Sequence, residues 1–175
     1  MKKLILFLAL TVVTFSETVS VNMDYLVNKH PKIEAVKKEI ETEKTRLENT
    51  INQKADELSV EKSSLEAKKD KVTDEEIAAF YKKEQELQKL YSESQSSLLS
   101  FKDKKFQALY NEVVEAVKTL QKLKKYDAIV EKTAIYIGSE KIKDVSDDVL
   151  NTLKSSEKID RKSTRLNSSH TVVSR

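Results

Sequence analysis

Two pairs of adjacent carboxylates, Glu75/Glu76 and Asp147/Asp148, are the residues in this chain that could share protons as general acid and base. Each pair opens a helical pattern just behind a hydroxyl residue, Thr73 or Ser146, and the positive end of a helix dipole accounts for acids there. Other chemistries lack their residues. With no Cys there is no thiolate nucleophile or ligand and no disulfide. One glycine, Gly138, is too few for a phosphate-cradling loop. Of the two histidines, His30 directly precedes Pro31, where an exposed pre-helix residue is the expectation and a metal ligand is not, and His170 lies in a tail of foreign character described below. No catalytic, metal or cofactor residue is assigned, and the chain is read as a non-enzyme without cofactor.

Contact chemistry remains. Lys68, Lys69 and Lys71 form a basic group, as do Lys102, Lys104 and Lys105; solvated helix surface explains both, but the first sits where it would meet a partner first. Phe80, Tyr91, Phe101 and Phe106 recur at helix-seam spacing, whereas Tyr81 and Tyr110 fall off the seam. Lys68, Lys69, Lys71, Tyr81 and Tyr110 are therefore the candidate contacts for a partner.

The elements that carry these residues follow from composition. At 38% hydrophobic and 35% charged, with a single Pro and a single Gly, the chain lacks material for one thick core and is suited to long helices with narrow apolar stripes. Residues 1–16 carry Lys2 and Lys3, an apolar run from Leu4 to Phe15, and Thr14 and Ser16, which is the grammar of a cleavable signal peptide; the run is short of the roughly 20 residues of a spanning helix. Membrane association is thus at most peripheral. At the other end DRKSTRLNSSH, residues 160–170, is what a sequencing adapter encodes codon for codon, so residues 160–175 are expected to be an artefact. Setting both ends aside removes six positive charges from 32 and one negative from 29, leaving about −2, which argues against a nucleic-acid partner.

Residues 17–30 read as a first strand, with Val19 and Val21, and a short helix. Residues 31–124 read as a long helical hairpin with its tip near 68–73. Ile33, Ile40 and Leu47 make one heptad series and Ile51, Leu58 and Leu65 another, interrupted by Lys44, Lys54 and Glu61. At the tip, Thr73 and Glu76 are spaced as a capping box, with Val72 and Ile77 as its staple. The second seam, Ile77, Phe80, Leu87, Tyr91, Leu98 and Phe101, shifts phase before Phe106, Val113, Val117 and Leu120, a stutter that suggests packing first on a partner helix and then into a base. Residues 125–158 switch to strand chemistry twice, with Ile129 and Val130 and then Ile135 and Ile137, before Ser146 caps a last short helix between Val145 and Leu150. The fold class is mainly α with a small β body: a long antiparallel hairpin on a three-stranded base. Short strands with open edges are weak alone, so oligomerisation through Val19, Val21, Ile129, Val130, Ile135 and Ile137 is expected.

In this order of elements, and most specifically in SVNMDYL (residues 20–26) and YDAIVEKTAIYIGSEKIKDVSDDVLNTL (residues 126–153), the chain resembles the Skp/OmpH family of periplasmic chaperones. The resemblance implies a periplasmic homotrimer whose helical tentacles enclose a cavity, and ATP-independent holding of unfolded outer-membrane proteins. Its best-known members are strongly basic and this chain, trimmed of its ends, is not. A structural coiled-coil spacer of the envelope is the competing reading; it needs no strand-strand-helix module and predicts an uninterrupted apolar seam.

Overall fold

A computed structural model of the chain describes residues 17–169, with side chains described for residues 17–158 apart from 70 and 139. The signal-peptide reading of residues 1–16 lies outside the described residues, as do residues 170–175 and the side chains of residues 159–169, on which the adapter reading falls.

Strand β1 (Thr18–Val21) is the centre of the base. It pairs in parallel with β2 (Ala128–Glu131), Val19 opposite Ile129 and Val21 opposite Glu131. On its other edge Ser20 donates its N–H to Lys143 O at 2.8 Å and accepts from Val145 N at 2.9 Å. Both edges of β1 are therefore used, and Val19, Ser20 and Val21 are all buried. Helix α1 (Met23–Asn28) follows, capped by the Asn22 side chain, which accepts from Tyr25 N at 2.8 Å.

Helix α2 (Ile33–Lys68) and helix α3 (Asp74–Lys124) run antiparallel. At 1.5 Å per residue they are about 54 and 77 Å long, and the extra length of α3 is what enters the base. Helix α4 (Ser146–Ser169) closes the base from the other side. Val19, Val21, Leu26, Val113, Leu120, Tyr126, Val145, Val149 and Leu153 form one core, and a smaller cluster of Ile33, Val36 and Leu109 joins the roots of the two long helices.

The hairpin above that cluster is thinly packed. Its inner side chains recur at eleven residues: Val36, Leu47 and Leu58 on α2, and Leu87, Leu98, Leu109 and Leu120 on α3. This period, 3.67 residues per turn, slightly exceeds the 3.6 of a straight helix and favours a gentle right-handed winding of the arms, where a heptad would wind them left-handed. Lys54 is more exposed than a seam residue, and Glu61 pairs across the hairpin. Ion pairs join the arms at Lys32–Glu112, Glu39–Lys105, Glu61–Lys83 and Lys68–Glu76, each placed symmetrically about Val72, so the register holds without slippage from root to tip.

Four expectations need correction. Residues 133–137 do not form a third strand: Lys132–Ala134 is a 3-10 turn, Ile135 is half-buried, and Tyr136 and Ile137 are 96% and 93% exposed. The free edge of β1 that they would have needed is taken by residues 143–145. Ser146 does not spend its hydroxyl on its own helix; that oxygen accepts from Asn22 N at 2.9 Å and donates to Asp144 at 2.6 Å, tying β1 to α4. The last helix is not short, because its backbone continues to Ser169, although among its described side chains the buried apolar ones, Val149, Leu150 and Leu153, all lie near its start. His30, expected at the surface, is 2% exposed beneath α3 and α4.

Candidate functional site

The reversal at the tip is made by Lys69, whose φ of 48° and ψ of −123° fall where L-residues seldom sit, followed by a 3-10 turn over Lys69–Lys71. The new helix then starts on a complete capping box: Glu76 N donates to Thr73 Oγ1 at 3.2 Å and Thr73 N donates to Glu76 Oε2 at 3.1 Å. The other oxygen of Glu76 accepts from Lys68 Nζ, and this bond, followed by the one from Thr73 N, lowers the Glu76 pKa. Lys68 thus serves the turn itself, while Lys69 and Lys71 are exposed and make no ion pair among the described residues.

Tyr81 and Tyr110 belong to a larger feature. Ile77, Tyr81, Tyr91, Leu99, Phe106 and Tyr110 are between 39 and 61% exposed. At about 100° per residue, all six fall within roughly a third of the circumference of α3, beside the seam that meets α2. The helix therefore carries two apolar stripes, one spent on its partner and one open, and the open one runs from the tip to the base over about 50 Å. Tyr91 and Phe106 were expected in the seam and lie on the open stripe, and Ile77, expected as a staple, is exposed there too. Leu99 was not singled out by the sequence, though it stands eight residues from Tyr91 and seven from Phe106 on the same face. At its lower end, Phe106 and Tyr110 join Val27, Asn28, Gln107, Asp24 and Asp103 around a shallow groove of about 620 Å³. Glu84, Gln88, Gln95 and Lys102 share this face, so the stripe is a row of separate apolar side chains set among polar ones and not one continuous patch.

Between the arms, a gap of about 310 Å³ lies among Leu58, Leu87, Leu90 and the Glu61–Lys83 pair, so the hairpin interior has unfilled space as well as half-buried leucines. The base gives the other candidates different positions. Val19 and Val21 are committed to the chain's own core, Ile129 and Val130 are half-buried on β2, and Ile137 with Tyr136 stands out in solvent. Asp144 organises this end. Burial opposes its charge, but hydrogen bonds from Lys132 at 2.8 Å and from the hydroxyl and N–H of Ser146 at 2.6 and 2.9 Å outweigh it and hold the pKa below the ordinary value. Among the described residues no group of His, Asp and Glu is placed to hold a metal ion, and no helix is long and apolar enough to cross a membrane.

A two-stranded parallel base carrying one long helical hairpin with an open apolar stripe defines a class of tentacled, mainly helical protein. The chain belongs to the OmpH-like family, described as outer membrane protein (OmpH-like), which matches residues 18–153. Its fold is similar to the crystal structure of a candidate outer membrane chaperone (OmpH-like) from Caulobacter crescentus CB15, with a TM-score of 0.69 at 16% identity over 80% of this chain and 85% of that one. No curated protein matches the chain.

Proposed function

We propose that the chain is an ATP-independent holdase of the periplasm, exported by a cleaved signal over residues 1–16, that keeps unfolded outer-membrane proteins from aggregating between the tentacles of a homotrimer. The observation that carries this reading is the open stripe of α3. An unfolded client offers scattered apolar and aromatic side chains, and a stripe of six such residues meets them by many weak contacts, each of which can release without ATP. Membership of the OmpH-like family and the chaperone description of the Caulobacter relative point the same way. Self-association is supported by the second edge of β2, unpaired among the described residues, and by the exposed Tyr136 and Ile137 a few positions further along the chain, which leave backbone groups and apolar side chains for neighbouring copies.

Replacing residues 44–97 by a short turn removes the tip and three of the six stripe residues, Ile77, Tyr81 and Tyr91, but none of the base. That variant is expected to keep its oligomeric mass by light scattering and to lose suppression of outer-membrane-protein aggregation. Changing Tyr81, Tyr91 and Tyr110 together to Ser should weaken suppression severalfold without altering helix content. Undiminished suppression by the shortened chain would overturn the proposal and favour a structural spacer. Lys69→Glu with Lys71→Glu should slow capture of acidic clients at low salt and matter less at high salt, where exposed charges are screened within about 8–10 Å or less.

A further inference from the structure

His30 occupies the joint between α1 and α2, the root from which the hairpin leaves the base. Its N–H donates to Val27 O at 3.2 Å and its carbonyl accepts from Ile33 N at 3.0 Å, so its backbone links the two helices. Its ring continues the link: Nδ1 accepts at 3.1 Å from the N–H of Lys32, the residue just before the first turn of α2. An accepting Nδ1 places the proton of the neutral ring on Nε2. That Nε2 is buried with no hydrogen-bond partner among the described residues; Glu112 Oε2 lies 3.4 Å away in poor alignment, with both oxygens of Glu112 taken by Lys32 Nζ at 2.8 Å. Beside the ring lies a cavity of about 490 Å³, bounded by Glu112, Glu115 and Thr119 of α3 and by Thr152, Ser156 and Glu157 of α4.

We propose that His30 is a proton-operated latch that sets how firmly the hairpin is held on the base. A proton from solvent can add only at Nδ1. It turns the acceptor of Lys32 N–H into a donor facing that donor, so the entry to α2 loses the side-chain bond that holds the Lys32 amide. The imidazolium also competes with Lys32 Nζ for Glu112, whose pair with Lys32 joins the arms at their root. Both changes loosen the same joint, and the cavity beside it leaves room for the ring and Glu112 to shift.

The charges around the ring set the working range. Burial lowers the His30 pKa and Lys32 adds to that, while Glu112 and Glu157 act against it; the balance lies below 6.5. Because the folded value is depressed, the latch is fully closed above the unfolded value of about 6.5 and is lost as pH falls through the folded one.

The test uses the full chain with His170→Asn, leaving His30 as its one imidazole. Ring nitrogen NMR should show Nδ1 as the unprotonated nitrogen at neutral pH and a titration midpoint below 6.5. Amide protection of Lys32 and Val36, corrected for intrinsic exchange, should fall by about tenfold between about pH 7.5 and 5, while that of Val149 in the base stays level. The His30→Asn variant keeps an acceptor for Lys32 N–H without a titrating group, so its protection should be flat over the same range. A proton on Nδ1 at neutral pH, a midpoint at or above 6.5, level protection in the parent chain, or an equal fall in His30→Asn would each overturn the proposal. Should His30→Asn not fold, the ring titration and parent-chain exchange still decide.

Discussion

In the base, Leu26, Val113, Val145 and Val149 come from different elements and are sealed from solvent, whereas between residues 41 and 108 the one described residue that is buried is Ser94. The base is held by apolar burial, the hairpin by half-buried leucines, a capped turn and ion pairs between its arms. Burial does not weaken with salt; exposed ion pairs do, and each contributes only about 0–1 kcal/mol. One chain thus combines a cooperative foundation with a limb that can open locally at small cost, the distribution of stability expected where a binding surface has to adapt.

The contrast can be broken most sharply by truncating equivalent leucines. Leu26→Ala, at a position with no solvent exposure, is expected to cost about 2–5 kcal/mol in denaturant unfolding, while Leu58→Ala beside the interhelical gap should cost about 1 kcal/mol. Next in size, Asp144→Ala removes the acceptor shared by Lys132 and Ser146 and should destabilise the base by about 1–3 kcal/mol above neutral pH. Because the Asp144 pKa is depressed, its contribution is present above the unfolded carboxylate value and lost as pH falls through the folded one, so parent and variant should converge in acid. At the tip, Thr73→Ala should cost about 1 kcal/mol, read as faster amide exchange over the first turn of α3 and unchanged exchange in the base. Lys69→Gly should act in the opposite direction, stabilising the hairpin by up to about 1 kcal/mol because glycine accepts the positive φ without strain. Smallest is Glu61→Ala, at about 0.2–1 kcal/mol, an effect that should vanish at high salt, checked by exchange at mid-hairpin amides in both conditions.

What the sequence made legible is what neighbouring residues decide. The capping box of Thr73 and Glu76 and the fold class depend on spacings of a few residues and on composition, and both are present in the structure. What it hid depends on distant partners. Residues 133–137 have strand-forming side chains, but a strand needs an edge, and residues 143–145 reach the edge of β1 instead. His30 looked like a surface residue because its cover, from Glu112 to Glu157, is supplied by helices about 80 and 130 positions further on. The seam was misjudged for a different reason: with a period of seven, Lys44, Lys54 and Glu61 interrupt it, whereas with a period of eleven, Val36, Leu47 and Leu58 form a regular row. The open stripe of α3 was half visible, since Tyr81 and Tyr110 stood off the heptad seam and Tyr91 and Phe106 fitted it by coincidence of phase.

The eleven-residue period also makes the limb a thing of adjustable length. Eleven residues complete three turns with about 20° over, so excising or adding one such block on each arm, at positions equidistant from Val72, brings every inner leucine back to within about 20° of its former direction. The reach from base to tip would change in steps of about 16 Å while the base and the turn stay as they are. A heptad-sized step falls about 20° short of two turns, so it would turn the arms in the opposite sense and break the eleven-residue spacing of the inner row. Reach, in such a design, is a quantity set by the count of repeated blocks and independent of the chemistry that lines them.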